Sequence, residues 1–190
     1  MAQPVISILG RPNVGKSTFF NRLLNQRQSI VDAQEGITRD RIYGDIYWCG
    51  YSLQFIDTGG YIPVDKDQFN SAVRDQALMA INESDLVLLM VDGIDGPLSI
   101  DEDLSKIVRK SGKPYLLVVN KCDNLKTEIL AHQFHGLGFN NPYPISALNG
   151  RRTGDLLDAI LTKLDLKSPT LSSNKSHGLR MAIVGMPNVG

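Results

Sequence analysis

Strands alternating with helices predict a three-layer α/β fold with a mostly parallel sheet and one antiparallel edge hairpin. Three observations carry that expectation. Residues 5–9, 86–91 and 115–119 are short apolar runs, the pattern of parallel strands covered by helices on both faces. Residues 68–82, 100–110 and 154–164 set their apolar side chains at helical spacing. Residues 41–48 and 51–57 are strand-like and meet at Cys49-Gly50, which predicts a hairpin.

In chain order, Val5-Ile6-Ser7-Ile8-Leu9 is apolar and β-branched, and a helix carrying Phe19, Phe20, Leu23 and Leu24 on one face follows it. Residues 26–40 have no clear period and are expected to be a loop. Asp57-Thr58-Gly59-Gly60 ends the second strand of the hairpin. In the next helix Ala72, Val73, Gln76, Ala77 and Ala80 lie near one face; in the one after, Leu104, Ile107 and Val108 point inward. Gly112-Lys113-Pro114 introduces the third apolar strand. A helix is expected around 128–136 and a short strand at 143–145. Leu156, Leu157, Ile160, Leu161 and Leu164 line the closing helix. Ligands of such sheets bind at the carboxyl ends of the strands, so polar motifs should leave the strands there.

The composition is that of a globular protein: 190 residues, 42% hydrophobic, 21% charged and zero formal net charge. Bulk charge therefore argues for no nucleic-acid or membrane partner. Two cysteines are too few for a disulfide framework, which suits a reducing cytosol. No apolar stretch approaches the length of a membrane span, and a cytoplasmic protein is expected.

Gly10-Arg11-Pro12-Asn13-Val14-Gly15-Lys16-Ser17 matches the phosphate-loop pattern at every fixed position, between a strand and a helix. Its glycines let the backbone turn and aim N–H groups at phosphate oxygens, and the new helix adds its positive end. Lys16 is placed to reach the β/γ-phosphates and Ser17 to hold Mg²⁺, with Thr18 next in the first helical turn. Asp57 can hold a Mg²⁺-bound water; in the rest of that motif, Thr58-Gly59-Gly60, the Gly60 N–H can reach a γ-phosphate. In Asn120-Lys121-Cys122-Asp123, the Asp123 carboxylate can accept from the N1–H and exocyclic amine of guanine, a pair of donors adenine lacks. The backbone amides of Ser146-Ala147 can meet the guanine carbonyl oxygen. Thr38, in Gly36-Ile37-Thr38-Arg39-Asp40, can join the Mg²⁺ shell when γ-phosphate is present and leave on hydrolysis. GTP and GDP are the expected ligands, with Lys16, Thr38 and Gly60 in the catalytic roles.

This set resembles the G domain of translation-factor-like GTPases, within the P-loop NTPases. Residues 181–190 repeat 6–15 almost position for position, with Met186 in place of Arg11. Two phosphate loops separated by a Ser-rich stretch resemble the Der (EngA) family, double-G-domain GTPases of bacterial ribosome assembly. Residues 1–165 are then a G domain, 166–179 a linker, and 180–190 the first strand and incomplete phosphate loop of a second G domain, so that a fragment is expected. The resemblance implies a GTP-hydrolysing switch in maturation of the large ribosomal subunit, with ribosomal RNA as partner. Where small GTPases often carry a water-orienting Gln after the second motif, this chain has Tyr61 and Ile62. For Asn13 two readings stay open: a ligand of K⁺, as the resemblance to related GTPases with Asn at this position implies, or an Asn that only bonds its own loop. Arg39 and Arg41, near Thr38, read first as solvated charges, with a role as electrophiles or in binding a partner as the alternative, and His132, His135 and His177 show no metal-site spacing. Asp92, Asp95, Asp101, Glu102 and Asp103 form an acidic cluster that the charge preference of a helix N-terminus explains in part. Two rivals stay open on sequence alone: another phosphotransferase or ATPase on this scaffold, and a non-catalytic, nucleotide-dependent interaction module.

Overall fold

The computed structural model describes residues 3–25, 42–58, 66–139 and 141–166, with backbone alone over 66–72. Thr38, Arg39, Arg41, Gly59, Gly60, Tyr61, Ile62, His177, the expected linker beyond 166 and the repeat at 180–190 lie outside the described residues.

Among the described residues six strands, β1 (Val5–Leu9), β2 (Ile42–Trp48), β3 (Tyr51–Asp57), β4 (Leu86–Asp92), β5 (Tyr115–Asn120) and β6 (Pro142–Pro144), form one sheet in the order β2-β3-β1-β4-β5-β6. Every pairing is parallel except β2 with β3. Among the described residues five α-helices accompany them: α1 (Lys16–Asn25), α2 (Lys66–Glu83), α3 (Ser99–Lys110), α4 (Leu125–Ile129) and α5 (Thr153–Lys163). This is the mostly parallel, three-layer arrangement expected, with its one antiparallel hairpin at an edge.

Strand alternation divides the core in two. Leu86, Leu88 and Met90 of β4 face Phe19, Phe20 and Leu23 of α1 and Leu156, Leu157 and Ile160 of α5. Val87, Leu89 and Val91 point the other way, towards Ala77, Ala80 and Ile81 of α2 and Leu104 and Val108 of α3. All of β4 is buried, as its unbroken apolar run requires. The hairpin turns at Cys49 (φ 48°) and Gly50 (φ 87°), the paired positive φ values of a tight two-residue turn whose twist suits the strands.

Two expectations shift. The helix placed around 128–136 is instead the short α4 followed by a 3-10 helix over Leu130–Leu137. Asn124 starts α4 early by accepting a hydrogen bond from the Thr127 N–H at 3.0 Å. Its continuation buries Ala131, Phe134 and Leu137. A spacing of three stacks side chains along a 3-10 helix, and Gly138 (φ 79°) ends it. The strand expected at 143–145 sits one residue earlier, although the Ile145 N–H still bonds the Val119 carbonyl at 2.8 Å.

Phe20 is 1% exposed between α1 and the hairpin, so Phe20→Ala is expected to lower unfolding stability by about 3–5 kcal/mol, read from urea midpoints at unchanged slope.

Candidate functional site

Beyond Leu9 the backbone enters a loop that needs glycine twice. A Cβ at Gly10 (φ 152°) would lie 2.2 Å from the Met90 carbonyl oxygen, and one at Gly15 (φ 95°) 2.3 Å from Asn120 Nδ2. Asn13 takes a left-handed φ of 65°, which Asn tolerates better than most residues. Val14, fully buried, anchors the loop in the core. Lys16 Nζ curls back to donate to the carbonyls of Gly10 at 2.8 Å and Arg11 at 3.0 Å. Burial holds the Lys16 ammonium below its ordinary pKa; the neighbouring Asp57 charge opposes this and Arg11 adds to it. Beside the loop lies a cleft of about 350 Å³, lined by Asn13, Lys16, Ser17, Thr58, Gln76 and Leu104 among others.

Asp57 ends β3, buried and in register with Ile8, and Thr58 donates its hydroxyl to the Ile8 carbonyl at 2.8 Å. The hydroxyl of Ser17 and the carboxylate of Asp57 are hard oxygen donors. They suit Mg²⁺, which takes few protein ligands and keeps water and phosphate for the rest.

Asn120 ends β5 and is 2% exposed. Its Nδ2 donates to the Val14 carbonyl and its Oδ1 accepts from the Ala147 N–H, each at 2.8 Å. One carboxamide thus joins the phosphate loop to the turn at 146–150. Lys121 (φ 67°) reaches back to Asp92 Oδ2 at 2.5 Å. Burial pushes the Asp92 carboxyl up, but Lys121 and the N–H groups of Ile94 and Asp95 outweigh it and leave the carboxyl below its usual range. Asp123 is exposed and accepts from the Ser146 hydroxyl at 2.6 Å, which holds its carboxylate beside the turn.

Several of these groups already have protein partners. The N–H groups of Ser146 and Ala147 are already engaged, by the Arg151 carbonyl and by Asn120, because this turn braces itself first. Leu148 N–H is the donor of the 146–150 turn that has no partner among the described residues. Arg11 of the phosphate loop pairs with Asp95 at 2.8 Å and with buried Asp101 at 3.5 Å. The acidic cluster therefore serves as counter-charge to Arg11 and Lys121 as well as at the start of α3, where Asp101 accepts from the Leu98 N–H. Burial raises the Asp101 carboxyl above its usual range, against the pull of the Leu98 N–H and Arg11. Arg22 was not singled out from sequence. From α1 it donates Nε to the Ala147 carbonyl and Nη2 to the Leu148 carbonyl. A basic residue in a last helical turn carries no mark of such a partner more than a hundred residues away.

The family described as 50S ribosome-binding GTPase matches residues 5–121. The chain is 49% identical over 191 residues to GTPase Der of Halothermothrix orenii, which takes in 100% of this chain and 43% of that protein. It is 43% identical over 197 residues to GTPase Der of Geobacillus thermodenitrificans, again 100% of this chain and 43% of that protein. The chain thus spans less than half the length of these curated relatives. It also resembles the crystal structure of Era in complex with MgGDPNP and nucleotides 1506-1542 of 16S ribosomal RNA. That likeness has a TM-score of 0.68 at 31% identity, over 86% of this chain and 57% of that one. The six-stranded architecture is that of the P-loop GTPase G domain.

Cys122, inside the Asn120–Asp123 motif, is buried, and its thiol is pushed up to about 11 by burial and by the charges of Glu128, Asp123 and Asp92. Cys49 is exposed at the hairpin turn. Maleimide at pH 7.5 is therefore expected to label Cys49 alone in the folded chain and both thiols in denaturant, as counted by intact mass.

Proposed function

This chain belongs to the 50S ribosome-binding GTPase family, and from that premise we propose that it binds GTP and hydrolyses it to GDP and phosphate as a molecular switch. The arrangement of Asp123 carries the guanine reading. Its carboxylate is exposed, steadied by Ser146, and separated from the phosphate loop by Asn120, whose bonds span from Val14 to Ala147. A bound guanine nucleotide would lay its phosphates on the Gly10–Ser17 amides and its base against Asp123. Adenine would leave that carboxylate without its pair of donors, a mismatch that discriminates strongly.

Lys16 neutralises charge on the β/γ-phosphates, and its partly desolvated ammonium strengthens that attraction. Ser17, Asp57 and Thr38 are the residues that would hold Mg²⁺, which supplies charge neutralisation between the phosphates when bound. The Gly60 N–H is assigned to the γ-phosphate. Turnover is slow because Tyr61 and Ile62 offer no carboxamide to orient water. Asn13 helps to ligate K⁺, which takes the place of an arginine finger.

The larger setting rests on the relatives. Residues 166–179 act as a linker and 180–190 open a second G domain, a reading supported by the internal repeat and by the greater length of the Der proteins. The switch then acts in large-subunit assembly, with ribosomal RNA as partner, in the cytoplasm. Among the described residues no helix is long and apolar enough to cross a membrane.

Asp123→Asn should weaken GTP by about a hundredfold or more and improve xanthosine triphosphate binding, measured by titration calorimetry; unchanged GTP affinity would remove the guanine assignment. Hydrolysis by the full chain is expected to run faster in KCl than in NaCl of equal ionic strength. Equal rates would remove the role of Asn13.

A further inference from the structure

We propose that Arg22 is a positioning residue for base specificity: it aims the Leu148 N–H at the oxygen on C6 of guanine. The inference rests on the guanine reading above and concerns the part of it that the Ser146 and Ala147 amides leave unfilled.

The geometry follows from a single peptide unit. The Ala147 carbonyl and the Leu148 N–H belong to the same planar trans amide and point in opposite directions. Fixing one fixes the other. Arg22 Nε holds that carbonyl, and Nη2 holds the next one, at Leu148. Two neighbouring carbonyls gripped by one planar fork leave the amide between them little freedom to rotate.

Nothing else in the turn performs this task. The N–H of Ser146 goes to the Arg151 carbonyl, that of Ala147 to Asn120, that of Asn149 to Ser146 Oγ and that of Gly150 to the Ser146 carbonyl. The Leu148 side chain is 69% exposed and gives the residue no anchor in the core. Residue 150 also makes room for the guanidinium: a Cβ at Gly150 would stand 2.8 Å from Arg22 Nη1.

The outcome is an N–H donor fixed on the turn whose Ser146 hydroxyl also holds Asp123. Guanine presents an acceptor at C6 and donors at N1 and N2, so a fixed donor and a fixed carboxylate read complementary halves of one edge. Adenine presents an amine at C6 and would face the Leu148 N–H donor to donor. Arg22 lies six residues after Lys16 on α1, about 9 Å along the axis, so one helix spans from the phosphate end of the site to the base end.

The test pairs a side chain with a ligand atom. Dissociation constants of GDP, 6-thio-GDP and ADP are measured by calorimetry for the full chain as wild type, Arg22→Met and Arg22→Lys, with thermal melts to verify folding. The thio analogue keeps N1–H and the N2 amine and replaces only the C6 oxygen with a poor acceptor. Arg22→Met is expected to weaken GDP by about tenfold and the thio analogue by less than about twofold. Arg22→Lys, able to hold one carbonyl at a time, should fall between wild type and Arg22→Met, and it carries the comparison alone if the Met variant does not fold. Equal weakening of GDP and 6-thio-GDP, or no weakening of GDP, would overturn the role of Arg22. Wild type that binds ADP as tightly as GDP would overturn the guanine reading itself, and the inference with it.

Discussion

One buried carboxamide governs the site. Asn120 is almost sealed from solvent, and both ends of its amide must find partners or cost about 1–3 kcal/mol each. They find them on opposite sides, at Val14 and Ala147. That requirement propagates outward. Residue 15 has to be glycine because Nδ2 occupies the space of its Cβ. Strand β5 has to run one residue beyond its apolar stretch so that Asn120 emerges level with Asp92 of β4. The turn after β6 has to come close enough to β5 for its amide to be captured, and the Cys122 N–H to Ile145 carbonyl bond at 2.9 Å brings it there.

Charge is organised on the same plan. Lys121 and Arg11, in the loops after β5 and β1, are each tied to acids between the end of β4 and the first turn of α3: Lys121 to Asp92, Arg11 to Asp95 and Asp101. These cations are thereby committed to protein partners, whereas among the described residues Lys16 donates to the neutral carbonyls of Gly10 and Arg11, beside Asp57. A polyanion entering the cleft therefore meets in Lys16 an ammonium whose bonds to backbone oxygens are cheaper to exchange than an ion pair would be.

Sequence made the fold and the strand-end motifs legible for different reasons. Apolar runs such as 86–91 have few solutions other than a buried parallel strand. Gly10 and Gly15 were legible because close backbone approach requires glycine at fixed spacing, and Asn120 because it directly follows an apolar run. The 3-10 helix over Leu130–Leu137 was not. Ala131, Phe134 and Leu137 do carry a period of three, but over so few residues it merges into a helical pattern. The partners of Arg11 and Arg22 were illegible for a deeper reason. Their acceptors lie about 84 and 125 positions away, in contacts that only the closed sheet creates. The engagement of the Ser146 and Ala147 amides was hidden in the same way, since a motif specifies which groups are present and not which are already taken.

The two rims of the sheet are chemically unequal. Strand β6 is three residues long and two of them, Pro142 and Pro144, lack an N–H. It terminates hydrogen bonding and blunts that side against lateral growth. Strand β2 at the other rim is seven residues long, contains no proline, and leaves Ile42 and Tyr47 more than half exposed. Among the described residues no strand lies outside β2, so of the two rims it is the one whose backbone suits pairing with an added strand, whereas the prolines of β6 oppose it.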